Sequence, residues 1–367
     1  MWLGIVLHVS ITYMTSNQPM PWYDHQNSQL ADFLVAFIHV FRMPVFLILA
    51  GFFLSMLVER RGVVASSKHR IQRLLLPFIC FWPPIFVVSI FFGLLFLHLM
   101  RSNTWGIDFT LLTSEPVSHA PNTMHMWFLW QLIWISMISL FAFHLYAADI
   151  KLQVKKIIFL VKNPLGFIFL ASILTVAGIR YGNGLIHASG SFFPPAYEWL
   201  QSSLFFILGL IIYFNKGELF QYYASRWKGF SFIGILLFFI SILILDQVDE
   251  NQRGNLEIGI KVIFSLAYNM SSMFFSFALI GLFLKKISQK NIFLSYLSDS
   301  SYWVFLVHMP LTIFFAALMY NSDMAIPFKI LINIVATTFI CVASYHLCVR
   351  ETVVGVFLNG RKRSSAE

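Results

Sequence analysis

Residues 33–58 read FLVAFIHVFRMPVFLILAGFFLSMLV, and His39 and Arg42 are the only ionisable side chains in this apolar stretch. About 20 apolar residues are enough for a helix to cross the hydrocarbon core of a bilayer. Lipid offers no hydrogen-bond partner to a backbone group, which restricts spanning structures to helices and closed barrels. Because the stretch is continuous and does not alternate as a barrel strand does, it predicts a membrane-spanning helix.

The composition of the whole chain indicates the same environment. Its residues are 58% hydrophobic and 11% charged, whereas soluble domains carry about 25% charged residues. This excludes an ordinary soluble enzyme. We assign the net charge of +9 to cytoplasmic loops that set the topology, and not to nucleic-acid binding. The cysteines show no metal-ligand spacing, and we predict no metal site.

We predict ten such spans, and therefore an all-α integral membrane protein. The spans lie near 1–15, 33–58, 74–100, 124–147, 164–180, 199–214, 229–246, 258–284, 300–320 and 325–349. The first offers only about 22 Å of helix, so we expect it to be clipped at its N-terminal end. We expect one membrane domain over residues 1–350 and a short basic cytoplasmic tail over residues 351–367.

Basic residues alternate between the loops. The loops after spans 2, 4, 6 and 8 and the C-terminal tail hold 19 of the 25 Lys and Arg residues, and the intervening loops carry most of the acids. Cytoplasmic loops are the ones enriched in Lys and Arg. Both termini are therefore predicted to be cytoplasmic.

Ionisable side chains inside spans are costly and usually functional. His8 lies in the first span, and His39 and Arg42 share one face of the second. The short loop between these spans predicts that the three groups converge about 10–15 Å below the outer face. Arginine stays charged, so Arg42 needs a polar cavity or an anionic partner. A structural arginine and a hydrogen-bonded bundle histidine at position 39 are the alternatives.

Three further sites draw attention. His308 lies about 12 Å from the cytoplasmic end of the ninth span, nearer the inside than His8. His125 stands beside Trp127 at the outer mouth of the fourth span, where an aromatic belt is the alternative explanation. Arg70 and Arg73 lie at helical spacing in the basic stretch RRGVVASSKHRIQRLLLP, residues 60–77. They suit a polyphosphate ligand, although a topology signal explains them equally well.

Four segments in this order resemble the membrane acyltransferase-3 family, most closely its branch that modifies osmoregulated periplasmic glucans. They are LGIVLHVSITY (3–13), FRMPVFLILAGFF (41–53) with its basic loop and RIQRLLLP (70–77), MHMWFLW (124–130) and SYWVFLVHMPLTIFF (301–315). The resemblance implies a multi-pass enzyme of the bacterial inner membrane. It would move a succinyl or acetyl group from cytoplasmic acyl-CoA to a hydroxyl of a periplasmic glucan or other extracytoplasmic glycan. It implies no permanently bound cofactor, and the oligomeric state stays open.

The family's first helix carries an arginine, ten residues and then an essential histidine. His8 matches that histidine, and the arginine would fall before Met1, so we expect the true start of the protein to lie upstream. We predict His8 as the general base, with a transient acyl-histidine as the second route, and Arg42 as the group that stabilises the oxyanion or the succinyl carboxylate.

The remaining roles follow the same scheme. Arg70 and Arg73 would hold the phosphates of CoA, and His308 would line the donor path. His39, His125 and Trp127 are the predicted acceptor-binding side chains. The competing functions are a transporter or flippase without acyl transfer, and a haem protein that uses His8 and His39.

Overall fold

The computed structural model describes residues 2–15, 20–112, 121–248, 252–286 and 291–360, and the regular elements in these ranges are all helical. The α-helices are α1 (Leu3–Ile11), α2 (Gln29–Arg70), α3 (Leu76–Ser102), α4 (Trp127–Lys156), α5 (Phe159–Lys162), α6 (Pro164–Gly178), α7 (Ala196–Phe214), α8 (Lys216–Asp246), α9 (Ile258–Lys286), α10 (Ile292–Met319), α11 (Ile326–Ser344) and α12 (Val353–Asn359). Short π-helical turns follow α2 (Ile71–Leu75) and α11 (Tyr345–Val349), and 3-10 turns cover Phe109–Leu112 and Met124–Met126.

Seven helical runs in the described residues are long and apolar enough to cross a membrane. They are Gln29–Ser102, Met124–Lys156, Ala196–Phe214, Lys216–Asp246, Ile258–Lys286, Ile292–Met319 and Ile326–Val349. The first run contains the predicted spans 33–58 and 74–100. Helices α1 and α6 are shorter, and they lie within the predicted spans 1–15 and 164–180. The all-α membrane class is confirmed, whereas the count of ten and the side of each terminus stay predictions. Residues 361–367 of the predicted tail lie outside the described residues.

The chain forms two compact units that alternate along the sequence. The first unit consists of Met1–Ile38, Gln72–Met126 and Asn291–Glu367, and the second of His39–Ile71 and Trp127–Lys290. The predicted membrane domain, residues 1–350, contributes to both.

In the first unit, α1 is held by packing. A helix of 9 residues is too short to be stable by itself in water. Ile5, Val9 and Tyr13 follow one another at four-residue intervals along one face of its path. They pack against Val304 of α10 and Ile330 of α11 in a buried apolar cluster. The position of α1 is thus decided by α10 and α11.

The segment after α1 is tied back by polar contacts. The backbone N–H of Asp24 donates to the Thr12 carbonyl at 3.0 Å, and the Thr15 N–H donates to the Asp32 carboxylate at 3.0 Å. The Asp24 carboxylate also accepts from the Lys329 ammonium of α11 at 2.9 Å, and both side chains are fully buried. This ion pair anchors the polypeptide that leaves the His8 helix.

In the second unit, two glycines let α2 and α7 approach closely. A Cβ at Gly51 would lie 2.0 Å from the Phe206 carbonyl oxygen, and one at Gly209 would lie 2.0 Å from the Ile48 carbonyl oxygen. Small residues at such crossings are typical of helix packing in membranes. The α2 helix also changes direction at Gly62, whose φ of 76° is open to glycine.

Candidate active site

Three imidazole rings meet inside the first unit. His8 comes from α1, His125 from the turn before α4 and His308 from the middle of α10. The ring centroids are 5.2 Å apart for His8 and His308, 5.1 Å for His125 and His308, and 6.2 Å for His8 and His125. We call these three side chains the histidine cluster.

The backbone of α10 determines the tautomer of His308. Its Nδ1 lies 2.9 Å from the carbonyl oxygens of both Val304 and Phe305. A carbonyl oxygen only accepts hydrogen bonds, so Nδ1 must carry the hydrogen. In the neutral ring the lone pair is therefore on Nε2, on the side of the ring away from its own helix backbone.

His125 is held by the same stretch of α10. Its Nε2 donates to the Phe305 carbonyl at 3.1 Å and to the Leu306 carbonyl at 3.2 Å. The Leu306 carbonyl would bond in a regular helix to the N–H of Pro310, which proline lacks. The proline thus leaves a backbone acceptor that the His125 ring uses, and the lone pair of neutral His125 is on Nδ1.

The turn that carries His125 is itself pinned. The Asn122 side chain accepts from the Met124 N–H at 2.9 Å, and the Asn122 carbonyl accepts from the Trp82 indole N–H at 3.0 Å. Met124 has φ 48°, in the left-handed region that residues other than glycine rarely adopt. This backbone conformation directs the His125 ring towards α10.

The three rings of the histidine cluster differ in their exposure to solvent. His125 is 5% exposed and His308 is 2% exposed, so both are interior side chains. His8 is partly exposed. His8 is therefore the most accessible ring of the histidine cluster.

The structure brings some predicted site residues together and leaves others apart. His308 was predicted to lie nearer the cytoplasmic side than His8, and the two rings are neighbours in the structure. Helix α10 begins at Ile292, before the predicted start of the span near residue 300. The relative depth of the two histidines in the membrane stays a prediction.

His39, Arg42 and Trp127 belong to the second unit. His39 is exposed on α2, and Arg42, three residues further along the same helix, is partly buried. Trp127 is the first residue of α4. The expected convergence of His39 and Arg42 with His8 stays a prediction.

The predicted phosphate-binding arginines have structural contacts of their own. Arg70, at the end of α2, is 9% exposed and donates from Nη2 to the Ala50 carbonyl at 3.3 Å. Arg73 donates from Nη1 to the carbonyls of Val356 and Phe357 at 3.1 and 2.7 Å. A cation at the C-terminal end of α12 is favourable because the last helical carbonyls lack donors and carry partial negative charge.

Three histidines are a common ligand set for metals. Among the residues that the structure describes, no group of three or more His, Cys, Asp or Glu side chains is arranged to hold a metal ion. The backbone bonds of His125 and His308 already orient two of the rings.

A family comparison accounts for most of the chain. The model of the acyltransferase-3 family, described as an acyltransferase domain, matches residues 1–349. The chain belongs to this family. The protein is an acyltransferase, and the resemblance of its four segments is confirmed.

Three curated relatives of the chain share one name. Glucans biosynthesis protein C from Salmonella schwarzengrund (strain CVM19633) is 24% identical over 330 residues, which is 86% of this chain and 80% of the relative. The proteins of that name from Salmonella heidelberg (strain SL476) and Salmonella agona (strain SL483) match with the same identity and coverage. No solved structure matches the chain.

Sequence reasoning missed two features of the site. It singled out neither Asp24 nor Lys329, although they form a fully buried ion pair. It also gave no role to Pro310 beside His308. A signal for both existed in the sequence, since a lysine in an apolar span and a proline directly after His308-Met309 are each unusual.

Proposed function

We propose that the protein transfers an acyl group, succinyl or acetyl, from cytoplasmic acyl-CoA to a hydroxyl of a periplasmic glucan or another extracytoplasmic glycan. The observation that carries the proposal is the histidine cluster, in which one accessible imidazole is backed by two buried ones. Family membership supports the acyl transfer. The shared name of the relatives supports a glucan as acceptor.

The chemistry requires a base, because a sugar hydroxyl is a poor nucleophile at neutral pH. His8 takes the hydroxyl proton as the oxygen attacks the thioester carbonyl, and imidazole has the right range of proton affinity for this task. The C–O bond forms, the C–S bond breaks, and the proton ends on the CoA thiolate. Protons balance in this reaction, so it needs no further cofactor.

The remaining groups surround this step. Arg42 would stabilise the developing oxyanion, or the free carboxylate if the donor is succinyl-CoA. Arg70 and Arg73 would hold the CoA phosphates, and His308 would line the path of the donor. His39, His125 and Trp127 would lie along the acceptor site. The proposal includes ten membrane spans with both termini in the cytoplasm, and a location in the bacterial inner membrane. The acyl donor and the glycan acceptor would then lie on opposite faces of that membrane.

The test is acyl transfer by the purified protein in lipid vesicles, with labelled acyl-CoA and glucan, and mass spectrometry of the products. We expect His8→Ala to lose at least about 100-fold in rate, as expected for removal of a general base. His144→Ala changes an exposed histidine of α4 and serves as the matched control. Undiminished acylation by the His8 variant at wild-type membrane levels would refute its assignment.

The same preparation separates the two routes through His8. Incubation with labelled acyl-CoA alone would label the wild-type protein if an acyl-histidine forms, and would leave the His8→Ala variant unlabelled. No label on an active wild-type protein supports direct attack with His8 as base.

A further inference from the structure

We infer that the first turn of α9, together with the Lys261 ammonium, binds the phosphate of a phospholipid headgroup. Helix α9 begins at Ile258, has 29 residues and is one of the seven candidate spans. Lys261 is its fourth residue, about 4.5 Å along the helix axis from its start. The site lies within the second unit and uses none of the side chains proposed for acyl transfer.

Lys261 is covered by protein but has no counter-ion. The residue is only 9% exposed, and among the residues that the structure describes its ammonium forms no ion pair, hydrogen bond or aromatic contact. The nearest acid along the chain is Glu257, whose side chain is exposed. Its backbone carbonyl accepts from the Lys261 N–H at 2.8 Å, but its carboxylate makes no ion pair with Lys261. A lysine that has lost most of its hydration at the end of a membrane span is stabilised by a bound anion.

The stem of Lys261 is confined by the chain that follows α6. Gly184 has φ 80°, and a Cβ there would lie 2.6 Å from Lys261 Cγ. A Cβ at Gly178 would lie 2.2 Å from the Gly184 carbonyl oxygen. Because both positions lack a side chain, the backbone can lie directly on the first turn of α9. The lysine stem is therefore held in one place, and the ammonium is the end that a ligand can reach.

The helix end supplies further donors for an anion. The first N–H groups of an α-helix have no acceptor within the helix, and they carry partial positive charge. Long side chains of a helix lean towards its N-terminus, so the Lys261 side chain is directed to this same end of α9. Backbone N–H groups beside a lysine ammonium are a well-known arrangement for binding phosphate.

The surroundings of Lys261 favour a lipid as the source of the phosphate. Ile258 is 57% exposed and Ile263 is 61% exposed, so α9 presents apolar side chains to the bilayer on both sides of Lys261. The polar headgroups of lipids lie directly outside the hydrocarbon core, at the level where a span ends. A phosphate at this level belongs to a headgroup, and the acyl chains of the same lipid can contact the two isoleucines.

The test is a titration of the detergent-purified full chain with phosphatidylglycerol, in which native mass spectrometry counts the bound lipids. Lys261→Gln should weaken binding at least about tenfold, as expected for loss of one charge-assisted hydrogen bond. Lys261→Arg keeps the charge and should retain most of the affinity. Lys286→Gln removes the same charge from an exposed lysine at the other end of α9 and should bind as wild type does. Diacylglycerol with the same acyl chains lacks the phosphate and should not occupy the site.

A second measurement uses the wild-type protein alone. Reductive methylation of lysines, mapped by mass spectrometry, should be slowed at Lys261 by phosphatidylglycerol and unchanged at Lys286. This readout also decides if Lys261→Gln does not fold. Equal lipid affinity of Lys261→Gln and wild type, or equal protection of Lys261 by diacylglycerol, would overturn the inference. Protection by inorganic phosphate without any preference for the lipid would overturn the assignment to a headgroup.

Discussion

The buried pair of Asp24 and Lys329 provides the sharpest test of how the His8 helix is anchored. Their charged atoms are 2.9 Å apart and neither side chain is exposed. We consider Lys329→Met, Asp24→Asn and the double variant that combines both. Each single substitution strands one charge in the interior, whereas the double substitution removes both charges together.

The cost of each single variant follows from the charge that it leaves behind. Removing one partner of a buried ion pair typically costs about 3–5 kcal/mol, because the other charge stays in the interior without compensation. The double variant should lose far less than either single variant.

The measurement is unfolding of the detergent-purified protein, followed by tryptophan fluorescence and referred to wild type under the same conditions. Acyl transfer measured alongside shows whether loss of the anchor also displaces His8. Losses below about 1 kcal/mol in both single variants would refute the reasoning. A double variant less stable than either single would do so as well.

Three further outcomes follow from the structure. Pro310→Ala returns an N–H to the α10 carbonyl that His125 uses, so we expect the rate of acyl transfer to fall while thermal stability holds or rises; an unchanged rate would speak against this role of the proline. Gly209→Ala forces a Cβ into a backbone carbonyl of α2 and should cost at least about 1–3 kcal/mol of stability. The control Gly217→Ala should cost little, because nothing lies within 4 Å of its added Cβ. Equal melting temperatures of the two variants would contradict this. Arg73→Gln removes the donor to the end of α12 and should make that helix sensitive to protease, and a rise in KM for acyl-CoA without new cleavage would instead favour phosphate binding.

Several features of this protein could be predicted from the sequence because their causes are local. An apolar stretch such as residues 33–58 must be helical in lipid, wherever its neighbours lie. His8 could be singled out because an ionisable group in a span is expensive whatever surrounds it. The family segments around His8, His125 and His308 could be recognised because each is a short continuous run of sequence.

Partnerships between distant residues were decided only by the tertiary structure. His8 and His308 are 300 positions apart in sequence and neighbours in space, and Asp24 and Lys329 are 305 apart. Hydropathy says that a helix spans the membrane but does not say which helices pack together, because lipid and protein interior are almost equally apolar. The choice of neighbours depends on side-chain fit and buried polar bonds, so the three histidines could be singled out in the sequence, but the structure alone shows that their rings meet.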